Sequence, residues 1–203
     1  MDIILDYAIR IPAILIALTF HEYMHGRVAY ALGDSTPKIQ GRLTLNPIRH
    51  LDPLGSILLL IVGFGWAKPV EVNPFHFKGD RARGMLLVAL AGPVTNLVLA
   101  FISAFILFLF GNSVAFLGGF LQYLFGINVV LAVFNLLPVP PLDGSKILAG
   151  LLPQEHRQVI YNIERYGTII LLFLVITGFL GKILYPLVDL VEKLIINFWQ
   201  LFF

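Results

Sequence analysis

The sequence predicts an all-α polytopic membrane protein of about four to five membrane-crossing helices, and three observations carry that prediction. Hydrophobic residues make up 58% of the 203 positions and charged residues only 13%, against roughly a quarter charged in a soluble domain. Residues 85–142 contain no Asp, Glu, Lys, Arg or His. That run is long enough for two helices of about 20 residues, the length that crosses roughly 30 Å of hydrocarbon. The 18 glycines and 12 prolines are many for so apolar a chain, and they predict broken or closely packed spans. One membrane-embedded unit over residues 1–203 suits the length.

The first helix is predicted over residues 4–31. Its start, "MDIILDYAIR", is acidic before it is apolar. A cleaved signal peptide has a basic start and small residues at the cut, so this segment is expected to be retained. Residues 33–83 differ in kind, being polar and rich in Pro and Gly. Within them "GRLTLNP" and "WAKPVEVNP" alternate like short strands and predict a small β-hairpin. Residues 54–66, "LGSILLLIVGFGW", are too short to cross and predict a re-entrant or surface-dipping piece.

A second helix is predicted over 84–111, with "GNS" at 111–113 as the turn. A third follows over 114–152, broken at "PVPPLDG", where Pro138, Pro140 and Pro141 interrupt the hydrogen-bond ladder. The C-terminal helices take 158–203. The sequence leaves open whether the last two segments cross the membrane.

Eight of the fourteen Lys and Arg lie between residues 27 and 83, and three more between 146 and 165. The positive-inside rule puts both stretches in the cytoplasm and the N-terminus and "GNS" turn outside. The two stretches agree on one topology, in the cell (inner) membrane. No basic cluster stands on an aromatic platform, so nucleic acid is not an expected partner. The absence of cysteine excludes disulfides and thiolate metal sites.

Ionisable residues at membrane depth are costly, yet "TFHEYMHGR" places His21, Glu22 and His25 at the end of the first apolar run. Histidines four apart lie on one helix face and can reach one Zn²⁺, with Glu22 beside an open coordination position. This is the H-E-x-x-H arrangement of zinc-dependent proteases; the alternative is a pair of helix-end residues snorkelling to the interface. A third ligand is required. His50, His76, His156 and several carboxylates are candidates, and Asp143 stands out because it closes the charge-free run at the depth predicted for His21 and His25. Its other reading is the N-cap of a helix starting at Gly144.

"HEYMH", "LTLNPIRHLDPLGS", "FGWAKPVEVNP", "RGMLLVALAGPVTN" and "NLLPVPPLDG" follow one another as in the site-2 protease family of intramembrane zinc metalloproteases, which the chain resembles from about His21 to Gly150. It looks like a compact form, without a PDZ insertion or a CBS domain. The resemblance implies zinc held by His21, His25 and Asp143, one ion per chain, and Glu22 as catalytic base. It implies transmembrane segments of other proteins as substrates, often cut in regulated intramembrane proteolysis. Asn135 is the candidate donor near the metal, a helix cap or interhelical hydrogen bond being its other reading. Asn96, in mid-helix, reads as packing glue. The strand-like pieces could bind an extended substrate by edge pairing. A non-catalytic membrane scaffold, a metal-ion transporter and a peptidase with Glu as third ligand are the weaker readings, and homo-oligomerisation is left open.

Overall fold

The computed structural model describes residues 3–55, 57, 65–110 and 115–202. The "GNS" turn and most of the apolar piece 54–66 lie outside the described residues. Among the described residues the helices longer than one turn are α1 (Ile3–Ala31), α2 (Arg81–Phe110), α3 (Ala115–Leu136), α4 (Asp143–Leu151), α5 (Gln154–Glu164), α6 (Gly167–Ile176) and α7 (Phe179–Gln200). Among the described residues three of these, α1, α2 and α3, are long and apolar enough to cross a membrane. A fourth span results if α5 and α6, which meet at 65°, count as one. α7 falls outside that set, with Lys182, Asp189, Glu192 and Lys193 along its length.

α2 is the central helix, packed against α1, α3 and α4. At 1.5 Å per residue its 30 residues are about 45 Å long, more than the hydrocarbon thickness. Its buried face carries Ala89, Gly92, Asn96, Ala100 and Ala104, spaced three or four apart, as one helical stripe requires. The opposite face shows Leu87, Val94, Val98 and Ile102 to the surroundings, the outward apolar stripe of a helix in lipid. Without a hydrophobic driving force between helices in lipid, small side chains provide close backbone approach and dispersion contact. Ala13 and Ala17 of α1 are fully buried for the same reason.

α7 closes the other side. Leu184, Val188, Val191, Ile195 and Trp199 pack on Ala100, Ala104, Phe125, Val129 and Val133 of α2 and α3. The Trp199 indole donates to Phe101 O at 3.2 Å, and its ring lies 4.7 Å from the Phe101 ring. At the other end, Leu137 and Leu142 bury Leu171 of α6 and Leu180 of α7.

Among the described residues the expected β-hairpin does not form a sheet. The polar region's described residues hold one antiparallel bridge, Leu51 to Ala67, a one-turn α-helix, Thr36–Ile39, and two single-turn 3₁₀ helices, Pro47–Arg49 and Pro74–His76. The prolines explain this. Pro47, Pro69 and Pro74 remove ladder donors, and Asn46 and Asn73 accept from the turns that follow them, so side-chain-capped turns replace strand pairing. Asp34 ties the region to the end of α1. Its buried carboxylate accepts from Thr36 N at 3.0 Å, Thr36 Oγ1 at 2.6 Å, Asn73 N at 2.7 Å and His76 Nδ1 at 3.0 Å.

Candidate metal centre

α1 presents His21 and His25 one turn apart toward α2, and α4 brings Asp143 to them. All three side chains are buried. His21 Nε2 lies 3.0 Å from His25 Nε2, and Asp143 Oδ2 lies 3.2 Å and 3.1 Å from the two nitrogens. Asp143 Oδ2 makes no hydrogen bond. A tetrahedral ion with ligands at about 2.0–2.1 Å has ligand–ligand edges of about 3.3–3.4 Å, so the triangle is close to one face of such a tetrahedron. Two imidazole nitrogens and one carboxylate oxygen are a borderline-hard donor set suited to zinc. Among the described residues this is the one group of three that could hold a metal ion.

The ring orientations are set from the far side. His21 Nδ1–H donates to Asn96 Oδ1 at 2.6 Å. The Asn96 amide then donates to Ala17 O at 3.2 Å and to Asn128 Oδ1 at 2.8 Å, and Asn128 donates to Leu124 O at 2.8 Å. This chain fixes which way each amide faces. His25 Nδ1–H donates to Val88 O at 2.7 Å. With both Nδ1 atoms protonated, both Nε2 lone pairs turn to the same point, the arrangement metal-binding imidazoles need.

Two glycines make room. A Cβ on Gly92 would stand 2.5 Å from both His21 Cε1 and His25 Nε2, so α2 can lie against the histidines only without a side chain there. A Cβ on Gly144 would collide with the carbonyl oxygens of Leu136 and Leu137, so the chain can fold back under α3 immediately after Asp143. Asp143 opens α4 itself, Leu142 being the cap residue.

Glu22 is half-buried, and its Oε2 accepts from the main-chain N–H of Val70 at 2.9 Å. Asn135 is also half-buried, and its amide donates to Leu131 O of its own helix at 3.0 Å. The other histidines are used elsewhere: His50 bonds Thr44 O at 2.8 Å, His76 bonds Asp34, and His156 is exposed on α5. Sequence reasoning passed over Asn128. Its signal was an amide in the middle of a charge-free span.

The model of peptidase family M50 matches residues 9–116 and 112–178. The chain belongs to peptidase family M50. It is 45% identical over 184 residues to a Bacillus subtilis protein named "Putative zinc metalloprotease YwhC", covering 87% of this chain and 84% of the relative. It is 31% identical to "Putative zinc metalloprotease Rip2" of Mycolicibacterium smegmatis, over 86% of this chain and 69% of the relative. A third relative, "Putative zinc metalloprotease MJ0611" of Methanocaldococcus jannaschii, is 34% identical over 71% of each chain. The search of solved structures gave no match. This M50 protein thus combines membership of that family with a buried His21, His25 and Asp143 cluster that could hold a metal ion and, among the described residues, three helices fit to cross a membrane.

Proposed function

We propose that this M50 protein is an intramembrane zinc endopeptidase that cleaves peptide bonds in or near transmembrane segments of other membrane proteins, as a step of regulated intramembrane proteolysis. His21, His25 and Asp143 are the metal ligands and Glu22 is the catalytic base. The observation that carries this reading is the mutual approach of the three ligand atoms to 3.0–3.2 Å at the end of a helix long enough to span. The protein sits in the cell (inner) membrane with the site toward the cytoplasm, as the basic stretches around it favour.

Zinc held by His21, His25 and Asp143 would supply Lewis-acid chemistry and lower the pKa of water. Glu22 takes the proton of the attacking water and returns it to the leaving amine. Its Oε2 is occupied by Val70 N–H, which leaves Oε1 to handle the proton. Asn96 and Val88 hold the imidazoles in one tautomer. Asn135 lies eight residues before Asp143 and serves as the donor near the metal with the amide N–H that its bond to Leu131 O leaves free.

The test is zinc content and cleavage of a transmembrane substrate in vesicles. Glu22→Gln is expected to keep zinc and lose cleavage, and Asp143→Ala to lose both. Full cleavage by Glu22→Gln, or unchanged zinc in Asp143→Ala, overturns the reading.

A further inference from the structure

Arg42 is an unusual residue for its place. The residue is 4% exposed, and among the described residues no carboxylate is in ion-pair contact with it, Glu22 and Glu71 acting on its charge only from further off. Its two terminal nitrogens donate instead to main-chain carbonyls, Nη1 to Arg49 O and Nη2 to Lys68 O. Burying a guanidinium is expensive, so a fork closed on two carbonyls from segments 19 residues apart needs a reason beyond solubility.

Those carbonyls belong to the two sides of the Leu51–Ala67 bridge. Lys68 N donates back to His50 O at 2.9 Å, so Arg42 locks the point where residues 67–72 leave the bridge. Two residues further on, Val70 N–H meets Glu22 Oε2. The same segment is fastened beyond that by Gln40 Nε2 to Glu71 Oε2 at 2.6 Å and by Asn73 N to Asp34. Residues 67–72 thus form a tether laid along the last turns of α1, and among the described residues its hydrogen bond to the proposed chemistry is the Val70 main-chain N–H on Glu22. Gly26, one turn beyond Glu22, faces the same region: a Cβ there would crowd Leu43 Cδ2 at 3.0 Å and reach ordinary contact with Val70 Cγ1 at 3.7 Å.

We propose that Arg42 is a positioning residue for Glu22, acting through Lys68 O and the Val70 N–H to hold one carboxylate oxygen so that the other faces the reacting water. This rests on the reading of Glu22 as the proton-transferring group. A lysine cannot replace the fork, because an ammonium is a point charge that does not span two carbonyls in one plane. Misplacing a catalytic group by about 1 Å can cost roughly 100-fold in rate, so a loosened tether lowers turnover while the metal ligands, on other elements, stay in place.

The experiment uses the zinc-loaded full chain in vesicles with a transmembrane substrate, comparing Arg42→Lys, Val70→Pro and Glu22→Gln. Val70→Pro removes the N–H that meets Glu22. The expected result is a fall in kcat of about 10- to 100-fold for both Arg42→Lys and Val70→Pro, with KM and zinc stoichiometry as in the parent. Wild-type kcat in both variants while Glu22→Gln is inactive overturns the positioning role alone. A loss of zinc or a raised KM that accounts for the whole defect overturns it too, since the clamp then supports the fold or the substrate. If Glu22→Gln keeps full cleavage, the underlying reading of Glu22 falls, and the positioning proposal with it.

Discussion

Asn96 Oδ1 lies 2.6 Å from His21 Nδ1, and the Asn96 amide is itself held by Ala17 O and Asn128 Oδ1. A fully buried amide in mid-span thereby decides which nitrogen of His21 faces Asp143. Partners of this kind typically contribute 10- to 100-fold to metal affinity. Asn96→Ala is expected to weaken zinc binding by about that factor, measured by competition with a chromophoric chelator. Asn128→Ala acts one bond further away and is expected to give a smaller loss in the same assay. Equal zinc affinity in Asn96→Ala and the parent would rule the relay out.

Gly92 offers a sharper steric test. A methyl group there would meet both imidazoles at 2.5 Å, closer than non-bonded atoms approach, so either α2 or the histidines must move. Gly92→Ala is expected to lose most bound zinc. Gly181→Ala is the control, because a Cβ there meets nothing within 4 Å and zinc content is expected to stay at the parent level. Metal analysis of the two purified proteins decides the matter.

Why some of this was legible in the sequence and some was not follows from which atoms do the work. His21 and His25 share a helix face by spacing alone, and Asp143 could be set at their depth because the charge pattern orients the helices. The long charge-free run announced α2 and α3. Val88 O and Val70 N–H left no trace, since any residue supplies a main-chain group and only the fold says where it points. Residues 41–47 and 66–74 alternate like strands in sequence, but prolines and Asn-capped turns take up the hydrogen bonds a hairpin would have used. Asn128 is an amide like many others until its partner, 32 residues away, is known.

Asp34 predicts how the tether responds to acid. Burial alone would raise its carboxyl, but bonds from Thr36, the Asn73 N–H and His76 hold it below the ordinary carboxylate value. A carboxyl depressed in the folded state contributes stability above its unfolded pKa of about 4. That contribution is lost as pH falls from there through the lower folded value. Asp34→Ala strands several donors and is expected to cost about 1–3 kcal/mol at neutral pH. Thermal unfolding of both proteins should show the difference constant near pH 7 and shrinking below pH ~4. A gap that widened on acidification would contradict the assignment.

Exchange of the metal reads the donor set directly. Chelation is expected to abolish cleavage, and added zinc to restore it. Co²⁺ binds comparable nitrogen and oxygen sites with lower affinity and reports its surroundings by visible absorption. With no cysteine in the chain, the cobalt protein is expected to show ligand-field bands without thiolate charge-transfer absorption. If His21, His25 and Asp143 are the ligands, Asp143→Ala must change those bands, because one of three protein donors is gone. Asn135→Ala must leave them alone, because its amide is turned to Leu131 O. A spectrum altered by Asn135→Ala and untouched by Asp143→Ala would move the metal away from the triangle of buried side chains.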